Sequence, residues 1–581
     1  MSRQHNPCPG TSAIISISEF PPEGQFSEEQ PLNQEHGAKP SNLMFPIAVA
    51  LILILILYGF LLYQGLPQQW TEMSNADHHT EAQHTEEHAD HDTEKEKHPP
   101  NPSYFMVAPF VILLLCIAIL PLIPLAAHWW EHNTNKFLVA GSLGMLTLLY
   151  YLFGGVPVEQ HLIEHKMITP ADGGFVIAKT VFMNAIVVEF LPFIVLLFSL
   201  FTITGGIRIC SSLKATPSIN AGILFIGAVL ASFIGTTGAA MLLIRPLLDM
   251  NRRRKYKAHT VIFFIFCVCN CGGCLTPLGD PPLFLGYLRG VPFEWTFFAL
   301  IREWAFVNLT LMALYFLWDS LWYYRQEAKE YRTQKNDSTQ KLFSVSGWKL
   351  NVFLLLGVVA AVAFFDPSRT VPGTDWYPWY YLREAVQLGL EAISLLLGST
   401  LIRKENVFNF LAIGEVAALF FGIFLCMQVP LQILNVHGKN IVERAEHATG
   451  LPKTKLFFWS TGALSSVLDN APTYVVFFET AKGLSPTSPE EMAEWKKLED
   501  REFRPVQLGG GRGVIDHYLL IAVSLGSVLM GAMTYIGNGP NFLIKAVAEQ
   551  DGVNMPSFFG YMVYSCFILL PLLVTMTLFF L

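Results

Sequence analysis

Charge is scarce in this sequence. Only 14% of the 581 residues are charged, 38 basic and 46 acidic, against 52% hydrophobic residues that include 45 phenylalanines. So little charge cannot coat so much apolar surface, which excludes a string of soluble domains and points to a polytopic membrane protein. The net charge of −8 identifies no partner, because acids gather in the N-terminal tail and one loop while bases gather in other loops. No basic face suited to nucleic acid is present, so the expected partners are the lipid bilayer and small inorganic ions. About 40 polar residues precede the first apolar run, so no cleaved signal peptide is expected and insertion rests on the first hydrophobic helix. Gly509 to Gly513 reads G-G-G-R-G but lacks the spacing and the trailing Lys-Ser/Thr of a P-loop. No nucleophile, base and orienting group share one depth, so the chain reads as no enzyme and as having no cofactor. Four of nine cysteines form a C-x-C-x-C-x-x-C run, Cys267, Cys269, Cys271 and Cys274. Inside an apolar helix they read as small hydrophobes, and no metal site is assigned.

What is present centres on Leu275 to Leu283, L-T-P-L-G-D-P-P-L, in the middle of an apolar segment of about 260–288. Proline removes a backbone donor and clashes with the preceding turn, so no helix continues through it. Asp280 is costly at membrane depth unless protein, water or an ion meets it. Non-helical backbone is tolerated there only where protein buries it or a cavity adjoins it. The stretch therefore predicts a discontinuous helix, a common location for a transporter's binding site. Met533 to Leu543, M-T-Y-I-G-N-G-P-N-F-L, repeats the pattern near the other end of the chain.

Along the chain, 1–43 reads as a disordered tail and 44–64 as an extra transmembrane helix, L-I-L-I-L-I-L at its centre. The loop 65–104 is rich in acid and histidine, with His78, His79, His84, His88, His91 and His98, and reads as a solvated linker. Spans are predicted near 105–127, 137–154 and 178–206. The apolar stretch 221–250 is broken by G-T-T-G at 235–238 and ends in a basic cluster, Arg252 to Lys257. Basic residues at both ends predict a re-entrant hairpin entering from the cytoplasm. After the broken helix come spans near 297–323, 349–365, 385–402 and 408–435. A second hairpin is predicted over 455–480, interrupted by S-S-V-L-D-N-A-P-T, then a second broken helix over 517–548 and a last span over 558–581.

Order repeats between a first half, 105–324, and a second, 385–581, joined by a linker with one span at 325–384. Each half offers a span with a buried acid (Glu189, Glu415), a hairpin and a broken helix. The charge-based count sends the hairpins in from opposite sides, so the fold class predicted is an all-α polytopic membrane protein with an inverted-topology repeat. Such repeats place substrate and ions near the midplane.

The segments T-P-L-G-D-P-P, D-N-A-P-T, T-Y-I-G-N-G-P-N and L-F-T-I-T-G-G at 200–206 together resemble the ion-transporter superfamily. That group includes NhaD-type sodium/proton antiporters, citrate and dicarboxylate carriers, and arsenite pumps. The resemblance covers 105–581 and is nearest to the NhaD-type antiporters, through Asp469-Asn470 before a proline and the paired intramembrane glutamates. It implies a multi-pass protein of the inner cell membrane and a homodimer. The extra helix and the histidine-rich loop lie outside its pattern.

A sodium site needs several oxygen ligands and a carboxylate for which sodium and protons compete. Thr276 and Asp280 of the first break are expected to meet Thr236 and Thr237. By pseudo-symmetry Thr534, Asn538 and Asn541 are expected to meet Ser466, Asp469, Asn470 and Thr473. Asp280 and Asp469 are the carboxylates expected to exchange Na+ for H+, since burial favours the protonated form and a cation the ionised one. Glu189 and Glu415 are candidates for proton relay or gating, or for helix packing. A citrate or dicarboxylate carrier would instead need cations at membrane depth, and Arg245 and Lys545 are the candidates. Both lie toward helix ends, where long basic side chains snorkel. The expected function is sodium/proton antiport by alternating access, with a citrate/dicarboxylate or arsenite carrier of the same superfamily as the alternative.

Overall fold

The computed structural model describes residues 44–73, 102–161, 166–211, 213–327, 343–486, 495, 503–510 and 512–581. The tail 1–43, the six loop histidines and most of 481–504 lie outside the described residues. The chain is an all-α polytopic membrane protein. Among the described residues, six helices are long and apolar enough to cross a membrane, or eight if each of two bent pairs is one span.

Helix α1 is Met44–Tyr63, and α2 is Ala108–Ile119. Proline-bearing residues 120–123 separate α2 from α3, Pro124–Trp130. The sequence predicts one span over 105–127, but the chain turns there by 104°. Pro121 and Pro124 each remove a donor and restrict the residue before them, which ends the helix. Helix α4, Asn133–Gly154, is followed by α5, Gly174–Thr204, which takes a π-helical course over Met183–Phe190. Glu189 sits in that wide turn.

Helices α6, Pro217–Ile234, and α7, Thr236–Met250, meet at Gly235 and pack against each other. Gly235 has φ +81°, open to glycine at little cost, and lets the chain reverse in one residue. Next come α8, Ala258–Cys267, the unwound segment to Asp280, and α9, Pro281–Leu288. Pro281 at the first helical position needs no donor and has its φ preset, so the prolines that end α8 also start α9. Helix α10 is Trp295–Glu327. Helices α11, Trp348–Phe364, α12, Leu382–Leu397, and the short α13, Thr400–Glu405, follow.

Helix α14, Leu411–Cys426, bends by 43° into α15, Gln428–Thr449, so the predicted span 408–435 continues well past its expected end. Helix α14 lies close along α4, where Gly144 faces Leu425 and Gly422 faces the Ala140 backbone. Helices α16, Lys453–Val467, and α17, Asn470–Leu484, form the second helix pair. The second broken element is α18, His517–Met530, then the unwound stretch to Asn538, then α19, Gly539–Gln550. The final helix, α20, is Phe558–Phe580.

The core runs through both breaks. Every residue from Val261 to Cys274 except the glycines and Asn270 belongs to its buried apolar cluster, including all four cysteines of the run. Their packing suits small apolar side chains. Among the described residues, three short antiparallel strand pairs tie loops together, including Arg208–Ser211 with Phe343–Ser346.

Candidate ion site at four helix N-termini

Four helix N-termini gather at one place: α7 at Thr236, α9 at Pro281, α17 at Asn470 and α19 at Gly539. The residue before each is Gly235, Asp280, Asp469 or Asn538. Helix starts carry unpaired N–H groups and positive potential, so they attract carboxylates and other oxygen donors. Asp280 occupies the middle, 1% exposed. Thr236 Oγ1 donates to its Oδ1 at 3.0 Å, Asn538 Nδ2 to the same oxygen at 3.1 Å, and Asn470 Nδ2 to Oδ2 at 2.5 Å. One carboxylate thereby receives a bond from three other elements, which holds its rotamer.

The backbone of each break is fixed in the same way. Thr276 Oγ1 donates to Ser232 O in the first half, and Thr534 Oγ1 donates to Ser466 O at 2.6 Å in the second. Each threonine hydroxyl then accepts from the amide two residues on, Leu278 N and Ile536 N, both at 3.2 Å. Gly279 and Gly537 also correspond. A Cβ on either would run into the carbonyl six residues earlier, Gly273 O or Gly531 O. The two breaks are thus built alike.

The clusters are not separate, however. The sequence predicts that each break meets the hairpin of its own half, whereas Asp280 bonds to Thr236 of the first and Asn470 of the second. Asn538 reaches Asp280 and Cys269 O, and not a hairpin residue of its own half. Asn541 joins through Asn270, whose Nδ2 donates to Asn541 Oδ1 at 2.7 Å, while Asn541 Nδ2 donates to Gly531 O and Thr534 O. Asp469 is partly exposed and caps α17 through Ala471 N at 3.2 Å. Thr473 donates to Asp469 O, and Ser466 Oγ to Gly462 O and Met530 O. Thr237 follows Thr236 on α7 and is half-buried.

With this geometry in place, the family match becomes informative. Residues 100–581 match the family model described as "Putative citrate transport". The chain belongs to this family. No curated protein matches it. The family stands within the citrate carrier and ion-transporter superfamily that the motifs resemble, so the chain is a secondary transporter and a multi-pass membrane protein. Helix α1 lies outside the matched residues.

The remaining candidates in this family member lie away from Asp280. Glu189 Oε1 accepts from Arg289 Nη2 at 2.7 Å, and Arg289 Nε donates to Glu479 Oε1 at 3.1 Å. Glu415 pairs with Lys136 of α4 at 2.6 Å and is about half exposed. Arg245 Nη1 donates to Glu405 O at 3.5 Å, and Lys545 pairs with Glu549 at 2.8 Å. Neither base bonds to the cluster. Sequence reasoning missed Asn270, Arg289 and Glu479. Asn270 carried a signal, a lone amide inside an apolar run, while the partners of Glu189 are distant in sequence.

Proposed function

We propose that the chain is a sodium/proton antiporter working by alternating access, with Asp280 and Asp469 exchanging Na+ and H+. The observation that carries this is the cluster itself: a buried carboxylate ringed by hydroxyl and amide groups, a second carboxylate next to it in sequence to Asn470, and no lysine or arginine among its hydrogen-bond partners. Hard monovalent cations prefer oxygen ligands, which the Asp280 and Asp469 carboxylates, the Thr236 hydroxyl and, with their amides turned, the Asn470 and Asn538 carbonyls would supply. The helix N-termini that would favour an anion already face protein carboxylates, Asp280 on α9 and Asp469 on α17. The two helix pairs and two breaks then act as re-entrant and discontinuous elements of an inverted repeat, rocking against the other helices. We place the protein in the inner cell membrane as a homodimer, the arrangement implied by the resemblance.

The alternative is carriage of citrate or another dicarboxylate, which the family description supports equally. The N-termini of α7 and α19, whose flanking residues Gly235 and Asn538 carry no charge, suit a substrate carboxylate.

Inverted vesicles holding a respiratory pH gradient, with a fluorescent pH reporter, separate the two. Sodium chloride alone should dissipate the gradient, and Asp469→Asn should abolish the response. A protein silent to sodium chloride that takes up citrate would replace antiport with carboxylate carriage.

A further inference from the structure

A second set of buried polar groups lies on α5 and α12, apart from the four helix N-termini. Glu391 is 0% exposed, and neither of its carboxylate oxygens has a hydrogen-bond partner. Gln387, one turn earlier on α12, is 1% exposed, with both amide atoms equally without a partner. Across from them on α5 the Ser199 and Thr202 hydroxyls face the Glu391 carboxylate, fully buried and also without ordinary hydrogen bonds. Glu391, Ser199 and Thr202 thus face one another beyond ordinary hydrogen-bond geometry, with Gln387 one turn away on α12 and equally unpartnered. A lone unpaired polar atom at this depth costs about 1–3 kcal/mol, so a whole set left so implies a ligand.

Arg403 is the charged group facing Glu391, yet its bonds are directed elsewhere. Its Nη1 donates to Thr202 O at 2.5 Å, and its Nη2 to Ser394 O at 3.2 Å and Ser394 Oγ at 2.7 Å. Those carbonyls belong to the C-terminal turns of α5 and α12, whose partial negative charge the guanidinium offsets. Arg403 therefore acts on Glu391 through space and bonds neither of its oxygens, while its own Nε has no partner.

We propose that Glu391, Gln387, Ser199 and Thr202 form a binding site for a monovalent hard cation, sodium in particular. One carboxylate, two hydroxyls and an amide oxygen supply oxygen ligands with a single negative charge, which suits Na+ better than a divalent or a soft metal. Helix α1 packs beside the site. Its Ala48 and Leu51 share an apolar cluster with Val195 of α5 and with Leu388, Ala392 and Leu395 of α12. Helix α1 packs along α12, the helix that supplies Glu391 and Gln387. The site gives the extra helix, and Thr202 within the L-F-T-I-T-G-G segment, a shared purpose: to hold a resident ion and not one that is carried.

The test uses the purified full chain in detergent with both central carboxylates neutralised, Asp280→Asn/Asp469→Asn, so that central binding cannot contribute. Thermal unfolding is followed against sodium chloride, with choline chloride at equal ionic strength as the control. The melting temperature should rise saturably with sodium and not with choline, and adding Glu391→Gln should remove the rise. Ser199→Ala/Thr202→Val retains the carboxylate, and should move the sodium midpoint up about tenfold even if Glu391→Gln fails to fold. A sodium response undiminished by these changes overturns the proposal, as does the absence of any response in the parent. Vesicle transport is not the readout, so failure here leaves the antiport reading standing, and the converse also holds.

Discussion

Asp280→Asn tests the central site most directly, because its structural cost can be worked out separately from its effect on transport. One carboxylate oxygen becomes an NH2 group. Placed at Oδ1, that group would face the amide nitrogen of Asn538, donor against donor. Placed at Oδ2, it would face Asn470 Nδ2, but Asn470 Oδ1 has no partner. Rotating the Asn470 amide turns that clash into an N–H to oxygen bond, so the second arrangement prevails. Three charge-assisted hydrogen bonds become neutral ones, losing about 1 kcal/mol each. The variant also no longer buries an ionised carboxylate, a gain of similar or larger size. The net change should be within about 2 kcal/mol, so the variant folds and its melting temperature moves by only a few degrees. Transport should respond quite differently. With no ionisable group at the centre, sodium-driven proton movement in vesicles should drop at least ~100-fold, equivalent to ~2.7 kcal/mol. A folded variant that still antiports would refute the role given to Asp280. A variant that cannot fold would refute the amide-rotation argument, and adding Asn470→Ala should then cause no further loss.

Arg289→Gln leaves Glu189 and Glu479 buried without their shared cation, and should destabilise by about 3–5 kcal/mol; an unchanged thermal midpoint would show that the pair of acids finds another partner. Gly279→Ala and Gly537→Ala force a Cβ against backbone carbonyl, whereas Gly539 has open space around its Cβ position. Folded yield by size-exclusion chromatography should fall for the first two and hold for Gly539→Ala, and equal yields would contradict the tight packing of the breaks. Outside the membrane spans, hydrogen bonds from Thr169 N and Thr169 Oγ1 hold the Asp172 carboxyl below its usual range. A folded-state value below the unfolded one stabilises the turn above the unfolded value near ~3.9, and the effect fades as pH falls through the lowered value. Amide exchange over 167–173 should therefore be faster in Asp172→Asn at pH 7, and a rate equal to wild type would remove this cap from consideration.

The breaks were legible because their causes are local. Pro281, Pro282 and Gly279 cannot sit inside one helix, and Gly235 gives a reversal wherever it occurs between two apolar runs. The partners across the site were not legible. Asn270 and Asn541, or Glu189 and Arg289, are far apart in the chain, and nothing in the pattern around either names the other. The bend at Pro121 and Pro124 could have been read from the prolines, but the apolar run on both sides argued for one span. The polar stripe on α12 was readable too. Glu384, Gln387, Glu391 and Ser394 recur at three- and four-residue spacing, which places them on one face. A hydropathy count over 385–402 averages that face away.

The two halves share backbone design but not charge, and the difference gives a directional test. Asp280 and Asn538 occupy equivalent positions ahead of α9 and α19, and Gly235 and Asp469 occupy equivalent positions ahead of α7 and α17. Each half therefore contributes one carboxylate, the first from its break and the second from its hairpin. Exchanging the break residues, Asp280→Asn with Asn538→Asp, keeps the number of charges and the Asp–Asn contact but moves the acid to the second half. The new aspartate at 538 would face Asn270 Oδ1 and Cys269 O, two acceptors that now receive from Asn538 Nδ2, and would lack the bonds from Thr236 and Asn470 that now fix Asp280. If total charge were all that mattered, the exchanged protein would transport like wild type. If the hydrogen bonds that hold Asp280 matter, it should fold and bind sodium more weakly, with transport closer to that of Asp280→Asn than to wild type. Sodium titration of vesicle antiport for the three variants decides between these. Equality of the exchanged protein with wild type would reject the view that the cluster, rather than its net charge, makes the site.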